Sequence, residues 1–322
     1  MLHKLFIDKF QPIYFDDFEM YEDIVEILKT LILMDNLNIL LIGDGGSGKT
    51  SMLNTLIREY YDGIDCQLYK DNVLYINNLK EQGINYYRND CKTFCQTRSS
   101  IKNKKKIVIL DDLDFINEQS QEVFRNCIDK YSHNVHFISS CTNIQKVIES
   151  IQSRFFIIKM KPLSRASLNK IMNKIKLSES IIVDEESQEF ILNICNNSAK
   201  VLMNYMEKFK LLNVPITVDM AKHVCTNIGF HIFEIYTGKV KEKKLVDAIT
   251  MLYDVYDKGY SVMDILDNYF LFVKTTSTLN EDEKYKIIPY ICKYITVFHS
   301  IHEDEVELAL FTNNLVQEIV GN

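Results

Sequence analysis

The octapeptide Gly43-Asp44-Gly45-Gly46-Ser47-Gly48-Lys49-Thr50 follows the apolar run Asn38-Ile39-Leu40-Leu41-Ile42 and leads into Ser51-Met52-Leu53-Asn54-Thr55-Leu56-Ile57-Arg58. A short continuous apolar run closed by glycine is the pattern of a buried parallel strand, and the residues after the loop repeat apolar side chains at helical spacing. The glycine-rich segment therefore lies between a strand and a helix N-terminus, the setting in which it cradles phosphate. Gly43 and Gly48 give the backbone the freedom to turn successive N–H groups toward an anion. Lys49 is placed to reach the β- and γ-phosphates, Thr50 to offer a hydroxyl to Mg²⁺, and the helix dipole favours negative charge. The expectation is a site for a nucleoside triphosphate, ATP with Mg²⁺, built from Gly43 through Ser51.

Two further apolar runs carry polar residues at their C-terminal ends. Ile107-Val108-Ile109-Leu110 closes on Asp111-Asp112. Downstream of a phosphate loop, that is where a metal-holding carboxylate belongs, with the next residue placed to orient or deprotonate an attacking water. Asp111 is read as the Mg²⁺ carboxylate and Asp112 as the catalytic one. Val135-His136-Phe137-Ile138-Ser139-Ser140-Cys141 ends in Thr142-Asn143, either of which could hydrogen-bond that water. Arg154 follows a short predicted helix, and from the residues alone it reads first as a surface arginine.

A chain of 322 residues exceeds one small core, so two or three domains are expected. The net charge of −7 argues against a protein that coats nucleic acid indiscriminately. It leaves room for a local basic face, because residues 80–106 hold eight basic side chains against Glu81 and Asp90. Taken alone, the tract reads first as a solvated helix and a charged turn before a buried strand. The eight cysteines lack zinc-site spacing, and Cys127, Cys141 and Cys195 read as buried free thiols of a reducing compartment. The pairs His133/His136 and His299/His302 have no companions for a metal site. Early charge in the N-terminal segment does not fit a signal peptide, and Asp35, Asn36 and Asn38 interrupt the apolar stretch from 31 to 42. The expectation is a soluble intracellular protein with no membrane contact.

Taken together, these segments resemble the AAA+ clamp loaders, specifically the small subunits of replication factor C. Lys9-Phe10-Gln11-Pro12 is similar to the family's Lys-Tyr-Arg-Pro motif beside the adenine. Residues 77–88 resemble the segment entering a DNA-facing helix, and Asp111-Asp112-Leu113-Asp114 continues the Walker B pattern. Ile148-Glu149-Ser150-Ile151-Gln152-Ser153-Arg154 resembles the most diagnostic motif, which ordinarily ends Ser-Arg-Cys. The resemblance implies that Gln11 and Pro12 border the nucleotide and that Lys200 falls at the sensor 2 position. It implies that Arg154 is an arginine finger acting in trans, and that Arg88 and Lys92, one helical turn apart, contact DNA phosphates. Departures are plain: Asp112 replaces a glutamate and is shorter by about 1.5 Å of reach, Thr142 stands where an asparagine is usual, and Gln11 replaces an arginine.

The resemblance also implies a fold and a task. An α/β AAA+ domain with a parallel sheet is expected over residues 1–161, a small helical lid over 162–226 and an all-α collar over 227–322. Amphipathic helices are predicted at 244–258, 261–274, 282–299 and 303–320. The implied activity is an ATPase subunit of a pentameric loader that opens a sliding clamp and places it on primer–template DNA. Slow or absent hydrolysis at the chain's own site is one alternative; a helicase loader or branch-migration motor is another, and those carry a winged helix with a β-wing after the lid.

Overall fold

The protein is described by a computed structural model. It covers residues 4–19, 22–76, 86–195, 197–225, 228–276, 278–298, 302 and 304–320. The chain divides into two compact units, one of residues 1–179 with 197–207 and the other of residues 180–196 with 208–322.

The first unit is built on a five-stranded parallel sheet in the order β2-β3-β4-β1-β5. The strands are β1 (Ile39–Ile42), β2 (Val73–Ile76), β3 (Lys106–Leu110), β4 (Val135–Cys141) and β5 (Phe156–Lys159). The three central strands are the three apolar runs of the sequence. Successive side chains alternate between faces, so both faces must be covered to bury such runs. Ile39, Leu41, Ile107 and Ile109 enter one core with α1 (Glu22–Leu33) and with Met52, Leu53 and Leu56 of α2 (Lys49–Tyr60). Leu40, Val108 and Leu110 enter the opposite core with Phe124, Cys127 and Ile128 of α3 (Glu118–Tyr131). Each fully buried Leu or Ile contributes on the order of 1.5–3 kcal/mol by burial. The outer strands β2 and β5 are half exposed and do not stand out in the sequence.

Register places the polar ends of these strands together. β1 pairs with β4 as Ile42↔Cys141, β3 with β4 as Leu110↔Ser139, and β2 with β3 as Ile76↔Leu110. The loops that leave β1, β3 and β4 therefore emerge side by side along the C-terminal edge, where open parallel sheets bind ligands.

At the opposite edge a buried polar network ties the sheet to its helices. His136 is almost fully buried; its Nδ1 accepts from the Leu37 N–H at 3.3 Å, and its Nε2 faces Asp35 Oδ1 at 3.0 Å. The first bond fixes the neutral tautomer with its proton on Nε2. Burial depresses the imidazole pKa to about 4 despite the carboxylate. Tyr60 donates to the same Asp35 oxygen at 2.9 Å, and Lys105 Nζ lies 3.0 Å from the other. Burial raises the Asp35 pKa, but the bonds from Lys105, His136 and Tyr60 outweigh it and hold it below the usual value.

Cys127, Cys141 and Cys195 are buried free thiols, as expected. Cys91 lies within hydrogen-bonding reach of Cys127 and Cys95, and these contacts with burial push its pKa up. No group of three or more metal-binding side chains occurs among the described residues, and no helix there is long and apolar enough to cross a membrane. The first unit also contains α4 (Arg165–Glu179) and the start of α6 (Ala199–Leu212).

The second unit is helical. It holds α5 (Glu185–Ile194), α7 (Val218–Cys225), α8 (Phe230–Lys241), α9 (Leu245–Tyr256), α10 (Val262–Thr275), α11 (Glu281–Phe298) and α12 (Val306–Val320). The last four follow the predicted spans closely. Ser261 opens α10 with a reciprocal capping box to Asp264, which satisfies N–H groups the first turn cannot. The tyrosines and phenylalanines are core, as their helical spacing predicts: Phe233, Tyr269 and Phe272 pack ring against ring, and Tyr294 meets Phe311 edge-on. Buried hydroxyls are paired, Tyr236 with Thr312 at 3.1 Å and Thr237 with Tyr269 at 3.3 Å. Among the described residues after 225 there is no strand.

Candidate nucleotide site

The loop after β1 has the conformation its glycines foretell. Gly46 and Gly48 have φ of +79° and +91°, left-handed values that cost an L-residue strain. Gly43 is required for a different reason: a Cβ there would lie 2.8 Å from Ser47 Oγ and 3.0 Å from the Met160 carbonyl oxygen. Helix α2 begins at Lys49, so the first N–H groups of its opening turn have no intrahelical acceptor and face the loop. Lys49 is 7% exposed, and its Nζ donates to the Gly43 and Asp44 carbonyls at 2.7 and 3.1 Å. Ser47 Oγ is buried without a protein partner. A cluster of outward N–H groups, a lysine curled over the loop and glycines where side chains cannot fit are the features a polyphosphate chain needs.

Asp111 stands at the end of β3. Its Oδ2 accepts from Thr50 Oγ1 at 2.9 Å and from the Tyr75 hydroxyl at 2.9 Å, while Oδ1 accepts from Ser140 Oγ. One hydroxyl and one carboxylate in contact form the oxygen set with which Mg²⁺ is held through its waters. Thr50 and Asp111 thus fit the ion that the loop implies.

Asp112 lines the same pocket with a left-handed backbone, φ 56° and ψ 56°, and its N–H donates to Ser140 Oγ at 3.0 Å. Such a conformation is uncommon outside glycine, and aspartate is with asparagine among the side chains that adopt it most readily. Burial raises the Asp112 pKa, the Asp111 charge raises it further, and Lys49 partly offsets both. A carboxyl with a raised pKa near the phosphate loop suits a general base.

The pocket holds about 660 Å³. Gly45 to Ser51 line its phosphate end together with Asp112 and Thr142, and Gln11 and Pro12 lie on its wall, with Gln11 Nε2 3.5 Å from Ser51 Oγ. Ala199, Lys200 and Met203 close it from the start of α6, and Ile171, Lys174 and Ile175 from α4. Side chains from residues 11, 49, 112, 142 and 200 are therefore gathered at one cavity.

Other expected site residues fall elsewhere. Asn143 turns away: its Oδ1 accepts from the Gln145 N–H at 2.9 Å and caps the short turn Ile144–Lys146. Only Thr142 of that pair lines the pocket. Arg154 lies outside its own chain's pocket, in an ion pair with Asp129 that raises its pKa. Lys92 is exposed at the start of the short helix Lys92–Gln96. Arg88 lies in the preceding turn Tyr87–Cys91, with its side chain outside the described residues, as are residues 77–85 of the segment before it.

Three contributors escaped the sequence reading. Tyr75 belongs to a half-exposed edge strand, and Ser140 to an apolar run in which serine reads as filler. Asp114 Oδ2 accepts the N–H groups of Thr142 and Asn143 at 3.2 and 2.9 Å, and so shapes the turn that presents Thr142. Its place at the fourth position of the Asp111-to-Asp114 motif was the available signal.

Residues 39–163 match the ATPase family associated with various cellular activities (AAA). The chain is 29% identical over 226 residues to the replication factor C small subunit of Methanoregula boonei, spanning 70% of this chain and 69% of that protein. It is 25% identical over 292 residues to replication factor C subunit 2 of Schizosaccharomyces pombe, spanning 87% and 84%. The Thermotoga maritima RuvB Holliday junction branch migration motor superposes with a TM-score of 0.55 at 12% identity, over 76% of this chain and 85% of that one, a likeness of fold. The AAA match thus lies on the part of the chain that carries the phosphate loop, and over most of its length the chain is similar to replication factor C subunits at 25–29% identity.

Proposed function

We propose that this chain is an ATPase subunit of a sliding-clamp loader. The observation that carries the reading is the convergence of Lys49, Thr50, Asp111 and Asp112 at one end of a parallel sheet, with Arg154 held outside that pocket. Lys49 and the N–H groups of the loop bind and orient the phosphates of ATP, and Thr50 with Asp111 holds Mg²⁺. The ion supplies charge neutralisation on the β- and γ-phosphate oxygens when bound. Thr142 orients the attacking water, and Asp112 takes its proton. Lys200 reaches the nucleotide from the start of α6.

Arg154 serves the neighbouring subunit's nucleotide, where a guanidinium stabilises charge on the transferring phosphoryl group. Residues 1–161 form the nucleotide-binding part, 162–226 the lid and 227–322 the collar. The assembly is a pentamer with other clamp-loader subunits. ATP binding favours the state that opens the clamp, and hydrolysis on primer–template DNA releases it. Arg88 and Lys92 contact the DNA phosphates. The shorter carboxylate of Asp112 makes hydrolysis at this chain's own site slow.

A branch-migration motor or helicase loader is disfavoured by the second unit, whose described residues after 225 are all helix and turn with no β-wing. The test is co-purification with candidate clamp and large-subunit partners, then ATPase assay of the complex with and without primed DNA. The expected result is stimulation by clamp and DNA together. A complete complex with no stimulation overturns the assignment.

A further inference from the structure

Asp111 is oriented by three hydroxyls from three different strands or helices. Thr50 comes from the first turn of α2, Ser140 from β4 and Tyr75 from β2. Thr50 and Ser140 are neighbours of the phosphate loop by the topology of the sheet. Tyr75 is not: it reaches over from an edge strand to the same carboxylate oxygen that Thr50 uses, at the same 2.9 Å.

We infer that Tyr75 is a positioning residue for the divalent cation, acting through Asp111. The inference rests on the reading of Thr50 and Asp111 as the Mg²⁺ pair. Thr50 spends its proton on Asp111 Oδ2, which leaves its oxygen lone pairs to face the ion. That arrangement requires the carboxylate to stay in one plane. Ser140 fixes one oxygen, and Tyr75 shares the other with Thr50, so without Tyr75 the Thr50 hydroxyl alone steadies Oδ2 while it also faces the ion. Outer-sphere donors of this kind change metal affinity by about 10- to 100-fold when removed.

The experiment titrates Mg²⁺ into wild type and Tyr75→Phe, each with a fluorescent ATP analogue, and reads binding rather than turnover. Nucleotide affinity is measured in parallel in EDTA, and melting temperature reports folding. The expected result is a rise of about tenfold in the Mg²⁺ concentration at half-saturation, with the affinity in EDTA unchanged. Tyr75→Ala is the second variant should Phe disturb the strand, and it gives the same shift, because the hydroxyl and not the ring is at issue.

An unchanged Mg²⁺ dependence in a folded variant overturns the inference. So does an equal loss of affinity with and without Mg²⁺, which marks Tyr75 as a general support of the pocket. Lys49→Ala separates the two layers of argument: wild type that fails to bind, or a Lys49→Ala variant that binds as wild type does, sinks the nucleotide site itself.

Discussion

Arg154 and Asp129 of the same chain form a two-pronged ion pair, with Nε on Oδ1 and Nη2 3.2 Å from Oδ2, while Nη1 donates to the Ser150 carbonyl. The guanidinium is thus aimed by its own subunit before any neighbour arrives. If it serves a neighbouring site, Arg154→Ala lowers hydrolysis by the assembled complex on the order of 10³-fold. Nucleotide affinity of the isolated chain stays unchanged. Asp129→Asn leaves the Arg154 charge in place but removes the carboxylate that aims it, and it gives a smaller loss of turnover. Single-turnover hydrolysis with equilibrium binding checks both.

Asp112 tests whether this chain burns its own ATP. Asp112→Asn abolishes hydrolysis at this site and leaves binding intact, whereas Asp112→Glu accelerates it by about tenfold or more if reach is limiting. Because burial and Asp111 raise the pKa of Asp112, the acid limb of the rate profile lies above the range of an ordinary aspartate. The rate falls as pH drops through that raised value. A pH–rate profile under single-turnover conditions measures it.

His136 makes stability depend on pH. Its pKa is about 4 in the folded protein, against about 6.5 for the unfolded chain. Between those values the unfolded state binds the extra proton, so stability is fully present above pH 6.5 and falls as pH drops toward 4. The shift corresponds to about 3 kcal/mol. Asp35, held below its ordinary value, adds a further loss at lower pH. Melting temperature across pH 4–7 should fall steeply on the acid side in wild type and less steeply in His136→Gln.

Leu40 is fully buried between β3- and α3-derived side chains on one face of the sheet. Leu40→Ala should cost about 2–5 kcal/mol in urea unfolding. Leu33, 86% exposed at the end of α1, should tolerate the same change within about 0.5 kcal/mol.

The central strands were legible because burial on both faces writes a continuous apolar run. β2 and β5 were not, since an edge strand keeps one flank in water and its four residues mix exposed and buried positions. In the loop after β1, Gly43 and Gly48 were legible, the one held by a close approach and the other by a left-handed φ, whereas the left-handed φ of Gly46 was not singled out. Thr142 and Asn143 stood as equals in the sequence, because a cap for the next turn and a ligand for water use the same side-chain chemistry. The Asp129 contact that holds Arg154 joins residues 25 apart through an ion pair, and no local pattern encodes it.

Gly46 gives the site a mechanical property. A methyl placed there would lie 2.3 Å from Ser198 Oγ, so the bare backbone of the phosphate loop rests against the Ser198 side chain at the turn that begins α6. Lys200 lies two residues farther along. A loop that shifts by a few tenths of an ångström to admit a γ-phosphate therefore presses first on the Ser198 side chain, and through it on that turn, whatever charge position 200 carries. The phosphate loop is a strike plate for the start of α6, and Gly46→Ala would jam it.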